Sequence, residues 1–151
     1  MELKIKKAHA EMKNVNLRTE NNGDDRVLAC DIKLKLDATA KEIAPLFADV
    51  PALLDTLYDE GGNVLSPEFQ FVYRVPIENI ELTIDKVKSW KGGKIKKNAV
   101  LLPRNGRRME VLLTLQFSGV GDIRPMATRL HNEVSVTIIE QQESLALQDA
   151  A

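Results

Sequence analysis

The sequence contains a single cysteine, Cys30, which excludes an internal disulfide and fits a reducing compartment. Cys30 alternates with Leu28 and Ile32, a setting in which a thiol is a small, inert core residue and a poor nucleophile. The two histidines, His9 and His131, lie far apart in the chain, and with one cysteine they assemble no metal-ligand spacing. Ser89, Ser118 and Ser135 have none of the surroundings of a nucleophile elbow. Paired carboxylates for acid–base chemistry are missing as well, so no enzyme, no metal and no cofactor is expected. No apolar run approaches the roughly 20 residues that cross a bilayer. The opening Met1-Glu2-Leu3-Lys4-Ile5-Lys6-Lys7 carries no apolar signal segment, so a cytoplasmic protein with no membrane partner is expected. Aromatic residues make up 5% of the chain, too few for a surface that stacks successive bases.

What the chain does have is segregated charge. Its net charge is −1, yet residues 86 to 108 hold nine basic residues and no acidic one. The rest of the chain has twelve basic residues against 22 acidic, a balance of −10. The basic set is Lys86, Lys88, Lys91, Lys94, Lys96, Lys97, Arg104, Arg107 and Arg108, and the only tryptophan, Trp90, lies among them. A concentrated basic surface beside a large aromatic is the footprint of a phosphate-bearing or acidic partner. The same charges also serve to keep hairpin ends soluble and unpaired, and a lone tryptophan is commonly a packing residue. Contact with nucleic acid, if made here, is therefore electrostatic backbone tracking, sensitive to salt. The expected contacts are Lys88, Trp90, Lys91, Lys94, Lys96, Lys97, Arg104, Arg107 and Arg108.

The dominant hydrophobic period is two. Leu28, Cys30, Ile32, Leu34 and Leu36 alternate with Ala29, Asp31, Lys33 and Lys35, the pattern of a strand with one wet face. The alternation returns at Ile80, Leu82 and Ile84, at Val111, Leu113, Leu115 and Phe117, and at Val134, Val136 and Ile138. Helical signals are brief. Thr39 and Glu42 form a capping box that Pro45 soon interrupts, and Pro51 opens a stripe of Leu53, Leu54, Leu57 and Tyr58 that Gly61-Gly62 stops. Asp122 caps a second helix over about Ile123 to His131. At 151 residues with 44% hydrophobic content the chain suffices for one core. The expectation is an α+β, mainly β fold over residues 1–140, an antiparallel sheet or two-sheet sandwich with two short helices packed on it. Residues 141–151 form a polar tail that frays.

Gly92-Gly93 and Asn105-Gly106 both suit two-residue hairpin loops, which predicts a meander over roughly 79–91, 94–104 and 107–118. Lys91 then faces Lys94, and Arg104 faces Arg107, like-charge pairs that cost a little stability unless an anion uses them. The two hairpins disagree about the middle strand. One puts Ala99 and Leu101 on the core face and the other Val100 and Leu102, so either both faces are covered or one connection holds a bulge or longer loop. Two weaker features are the carboxylates Glu20, Asp24 and Asp25 around Gly23, most simply a solvated turn, and Gly119-Val120-Gly121-Asp122 before a helix start, which matches no phosphate loop.

The run from Asn14 to Leu34, with its Asn-Val-Asn-Leu-Arg-Thr-Glu opening, the acidic turn after Gly23 and an alternating strand containing Asp31, resembles a group of uncharacterised small proteins encoded by tailed phages and prophages of proteobacteria. It departs from that pattern at Asn22 and in the heavily basic residues 86–108. The resemblance implies a phage gene acting in the bacterial host cytoplasm, near recombination or anti-defence functions. Three partner classes follow. The leading one is nucleic acid. A second is a host protein complex, inhibited through the basic surface or through acidic mimicry by Asp49, Asp55, Asp59 and Glu60. The third is a further copy of the chain, in a homo-oligomeric phage component.

Overall fold

The computed structural model describes residues 2–23, 25–48, 51–119 and 123–141. The expected cap Asp122, the segment 120–122, Asp24, Asp49 and the tail 142–151 lie outside the described residues. Eight strands dominate: β1 (Lys4–Asn22), β2 (Asp25–Thr39), β3 (Phe71–Tyr73), β4 (Ile77–Ile84), β5 (Lys88–Ile95), β6 (Ala99–Arg104), β7 (Arg108–Ser118) and β8 (Glu133–Glu140). Short helices α1 (Ala40–Ile43), α2 (Pro51–Thr56) and α3 (Arg124–Ala127) and a 3₁₀ turn at Ala44–Phe47 complete it. The mainly β expectation holds, but the sheet is neither open nor a sandwich. The strands run in the order β2-β1-β8-β4-β5-β7, and β7 returns to pair with β2, closing a six-stranded barrel with β6 and β3 as a flap. Among the described residues no helix is long and apolar enough to cross a membrane.

Closure follows from the alternation. Every inward position of β2 from Cys30 to Ala38 is apolar and buried, and so are Met109, Val111, Leu113, Leu115 and Phe117 of β7. The two strands pair without interruption from Ala29 opposite Ser118 to Thr39 opposite Arg108, so their apolar faces enter one interior with Ile80, Leu82, Ile84, Val136 and Ile138. β7 has a second edge, and two strands share it. Lys94 and Ile95 of β5 pair with Gln116 and Leu115, while Val100 to Arg104 of β6 pair with Leu112 to Arg108. The chain steps off the barrel at Lys96–Asn98, where Asn98 has φ +73° and donates its N–H to the Tyr73 carbonyl.

The conflict over the middle strand is resolved by loop length. Arg104 pairs with Arg108, not Arg107, so the loop is Asn105-Gly106-Arg107, with Gly106 at φ +82° and Arg107 at +53°. One added loop residue turns every side chain over, which places Ala99 and Leu101 inward and leaves Val100 and Leu102 half-buried outside. The first hairpin is also elsewhere. Its loop is Asp85-Lys86-Val87, with Ile84 opposite Lys88, and Gly92-Gly93 lies within β5, so Lys91 and Lys94 occupy one strand and do not face each other. The glycines are required for another reason. Gly92 has φ +70° at a pairing irregularity, and the Phe117 ring fills the place of a side chain at Gly93.

The Thr39–Glu42 capping box forms as expected, and Pro45 ends α1 in the 3₁₀ turn. The predicted helix over Ile123–His131 is only the four-residue α3, because His131 turns to φ +67° and donates its N–H to the Met12 carbonyl, tying the segment to β1.

In Gly93→Ala the new Cβ runs into the Phe117 ring at Cε1. The substitution should lower stability in urea unfolding by about 1–3 kcal/mol, the usual cost of overpacking. Adding Phe117→Leu should recover part of that loss rather than add its own, as expected for residues in contact.

Candidate nucleic-acid interface

The fold divides seven of the nine basic residues into two groups with different surroundings and sets apart Lys86, in the loop between β4 and β5, and Lys88, beside Trp90. Arg104, Arg107 and Arg108 sit at the β6–β7 tip and are already engaged. Arg104 Nη2 donates to Glu110 Oε2 at 2.7 Å, and Arg108 Nε donates to both Asp37 oxygens at 2.9 and 3.0 Å. The Arg107 guanidinium lies 5.9 Å from the centre of the Tyr58 ring, while its N–H bonds to the Gly62 carbonyl and its own carbonyl accepts from Ala40 N–H. Asn105 Oδ1 accepts from Val64 N–H. The hollow of about 310 Å³ at this tip is lined by Asp37 and Glu110 as well as by Arg104 and Arg108, so an anion entering it meets two carboxylates. These arginines fasten the flap to the barrel and to the 58–64 turn.

Trp90 is not at the surface. It is 5% exposed, opposite Leu82 inside the barrel, with its indole N–H unpaired among the described residues. The ring cannot stack on a base, which corrects its place among the expected contacts. Lys88, two residues back along β5, lies above the ring at 5.8 Å, a cation–π contact at the rim of the core.

Lys91, Lys94, Lys96 and Lys97 form the second group. Lys91 is 79% exposed, and its nearest carboxylate, Glu81, is 3.8 Å away; Lys96 reaches Asp31 at 3.9 Å. Exposed pairs this long contribute little. Lys94 and the exposed Lys97 make no ion pair among the described residues. Pairing with β7 fixes their rows. Lys94 stands opposite Gln116, which stands opposite Asp31 on the other side, and Lys96 donates its N–H to the Thr114 carbonyl beside Lys33 of β2. Lys33 therefore faces the same surface from across one strand, about 10 Å away at ordinary strand spacing. It lies outside the basic segment, so the charge pattern does not include it, although its outward position in an alternating strand is legible. The lysine surface is Lys91, Lys94, Lys96, Lys97 and Lys33, with neutral Thr114 and Gln116 between the flanking strands.

A separate groove runs over β8, β1, β2 and β7, lined by His9, Glu11, Lys35, Asp37, Glu110 and Glu133. His9 Nε2 is 3.2 Å from Glu133, and Lys35 Nζ is 2.8 Å from Glu110. Hydrogen bonds from Lys35 first and Arg104 second outweigh partial burial and hold the Glu110 carboxyl below its ordinary range, while the same contact raises the Lys35 pKa. Among the described residues no three His, Cys, Asp or Glu side chains converge as metal ligands. The buried Cys30 thiol, 4.0 Å from Met126 Sδ, has its pKa raised by desolvation and so stays protonated. Asp55 lines a hollow with Arg107 and Lys41, and Asp59 Oδ1 accepts from Asn63 N–H, so these acids alternate with cations or cap a turn.

Comparison with protein-family models, curated proteins and solved structures returns no match.

The Glu110 contacts set a pH dependence. A carboxylate with a depressed folded pKa stabilises the fold above its unfolded value and loses that contribution as pH falls through the folded one. Glu110→Gln should therefore lower the urea midpoint at neutral pH, with the gap from wild type closing as the solution is acidified through the carboxylate range.

Proposed function

We propose that this protein is a non-enzymatic nucleic-acid-binding barrel, of phage origin and acting in the host cytoplasm, whose contact surface is the outward lysine row of β5 and the turn after it. The observation that carries the reading is the division of the basic residues. The arginines are consumed by Asp37, Glu110 and Tyr58, whereas Lys91, Lys94, Lys96 and Lys97 stand on one strand and its exit with long ion pairs or none. Lysines are compact, strongly hydrated charges that suit contact with phosphates without reading bases. With Trp90 in the core, such binding has no stacking component, so affinity rests on counterion release and little sequence preference is expected. The resemblance of Asn14–Leu34 to phage-encoded proteins supports the biological setting.

A second reading, inhibition of a host protein complex, draws support from Leu65 and Val75. These are 62% and 57% exposed and flank the edge strand β3 in sequence, where apolar contact with another protein would be favourable.

Binding of labelled single- and double-stranded DNA over a salt series tests the proposal. Log affinity should fall linearly with log salt. Lys91→Glu/Lys94→Glu/Lys96→Glu should weaken binding at low salt by more than tenfold and make the slope shallower, by roughly one unit for each phosphate the variant no longer neutralises. Arg104→Gln/Arg108→Gln should instead lower thermal stability and leave the slope near wild type. Absence of wild-type binding at low salt would overturn the reading in favour of the protein partner.

A further inference from the structure

β1 is longer than the barrel needs. Its outer edge pairs with β8 from Lys4 to Glu11, and Met12 completes that edge by bonding to Asn132 and His131. Beyond a register shift between Met12 and Asn14 the strand continues to Asn22, held on one side by β2 and on the other by no strand among the described residues. The pairing of β2 with β7 ends at Ala29 opposite Ser118, so residues 19–22 and 25–28 extend past the barrel as a two-stranded arm. Natural proteins protect a long open edge with lysine, proline or inward charge. Asn14–Asn22 has no lysine and no proline, and Leu17 on it is 46% exposed.

We propose that this edge pairs with the same edge of a second copy of the chain, antiparallel about a two-fold axis at Thr19. The residues select that register. Arg18 and Glu20 share one face of β1, since Arg18 bonds to Asp31 across β2 and to Glu20 two residues on. A two-fold at Thr19 sets Arg18 opposite Glu20 of the second copy, and Glu20 opposite its Arg18, continuing the Asp31–Arg18 network across the seam. A two-fold at Arg18 would oppose two arginines, and one at Glu20 two carboxylates, both unfavourable between facing strands. On the other face Leu17 meets Asn21 and Thr19 meets Thr19, and the paired edge satisfies backbone groups that have no strand partner among the described residues. An isologous edge-to-edge contact of this kind closes at two copies. The edge lies on a different strand from the lysine row, and the two surfaces meet only at Asp31, which Arg18 and Lys96 share.

Light scattering over a concentration series and oxidative cross-linking test the proposal together. Facing residues in an antiparallel pair bring their β carbons within reach of a disulfide, and Cys30 is buried, so a cysteine introduced at the edge is the accessible thiol. Wild type should be dimeric, and Thr19→Cys should cross-link to a covalent dimer on mild oxidation. Asn21→Cys, which faces Leu17 of the other copy and lies four residues from its own equivalent, should not. Glu20→Arg should shift the equilibrium to monomer, and Arg18→Glu/Glu20→Arg should restore the dimer. A monomeric wild type at every concentration, or cross-linking at position 21 in preference to 19, overturns the proposal.

Discussion

The uninterrupted pairing of β2 with β7, eleven residues on each side, is the interaction on which the rest of the structure depends. Without it the chain would be an open, twisted sheet with an apolar face and two free edges. With it the inward residues of six strands share one apolar interior and two edges vanish. The pairing joins residues about 80 positions apart in the chain, so its entropic cost is offset only when the whole interior assembles. That interior contains no buried charged residue among those described, which confines the charged side chains to the outside of the barrel.

Closure also decides where charge can act. Because the second edge of β7 is divided between β5 and β6, the basic segment is cut in two at Lys96–Asn98. The part on β6–β7 returns toward the barrel and meets Asp37 and Glu110, whose hydrogen-bonded pairs orient the tip. On β5, Lys91 and Lys94 face outward with only the long Lys91–Glu81 pair or no ion pair among the described residues. A guanidinium forms directional forked bonds and serves well as a fastener, while an ammonium on a flexible stem keeps its hydration and stays available to a mobile polyanion. Residues that look like one cluster in sequence thus do two different jobs.

Much of the fold is legible in the sequence because period-two alternation reports directly on burial: the strands around Cys30, Ile80, Val111 and Val136 all appear where the pattern puts them. The Thr39 capping box is legible for the same local reason. What is not legible depends on neighbours remote in sequence. Gly92-Gly93 carries a strong turn signal, yet the Phe117 ring fills the space beside Gly93 and keeps it in a strand. The choice between two and three loop residues after Arg104 is set by which faces of β6 and β7 must meet, and the disagreement over Val100 and Leu101 is the visible sign of it. For the candidate site, the charge count marks the basic segment, but the hairpin expected at Gly92-Gly93 puts Lys91 opposite Lys94 where both lie on β5, and composition does not reveal that Trp90 points inward, that the arginines have acidic partners, or that Lys33 joins from β2.

The most direct measurement is a residue-resolved NMR titration of the labelled protein with a short oligonucleotide. The account predicts that amide shifts concentrate on Lys91–Lys97, Thr114, Gln116 and Lys33, and that Asn105–Arg108 and the Trp90 indole N–H move little. Shifts centred on the arginine tip or on Trp90, or none at low salt, would contradict it.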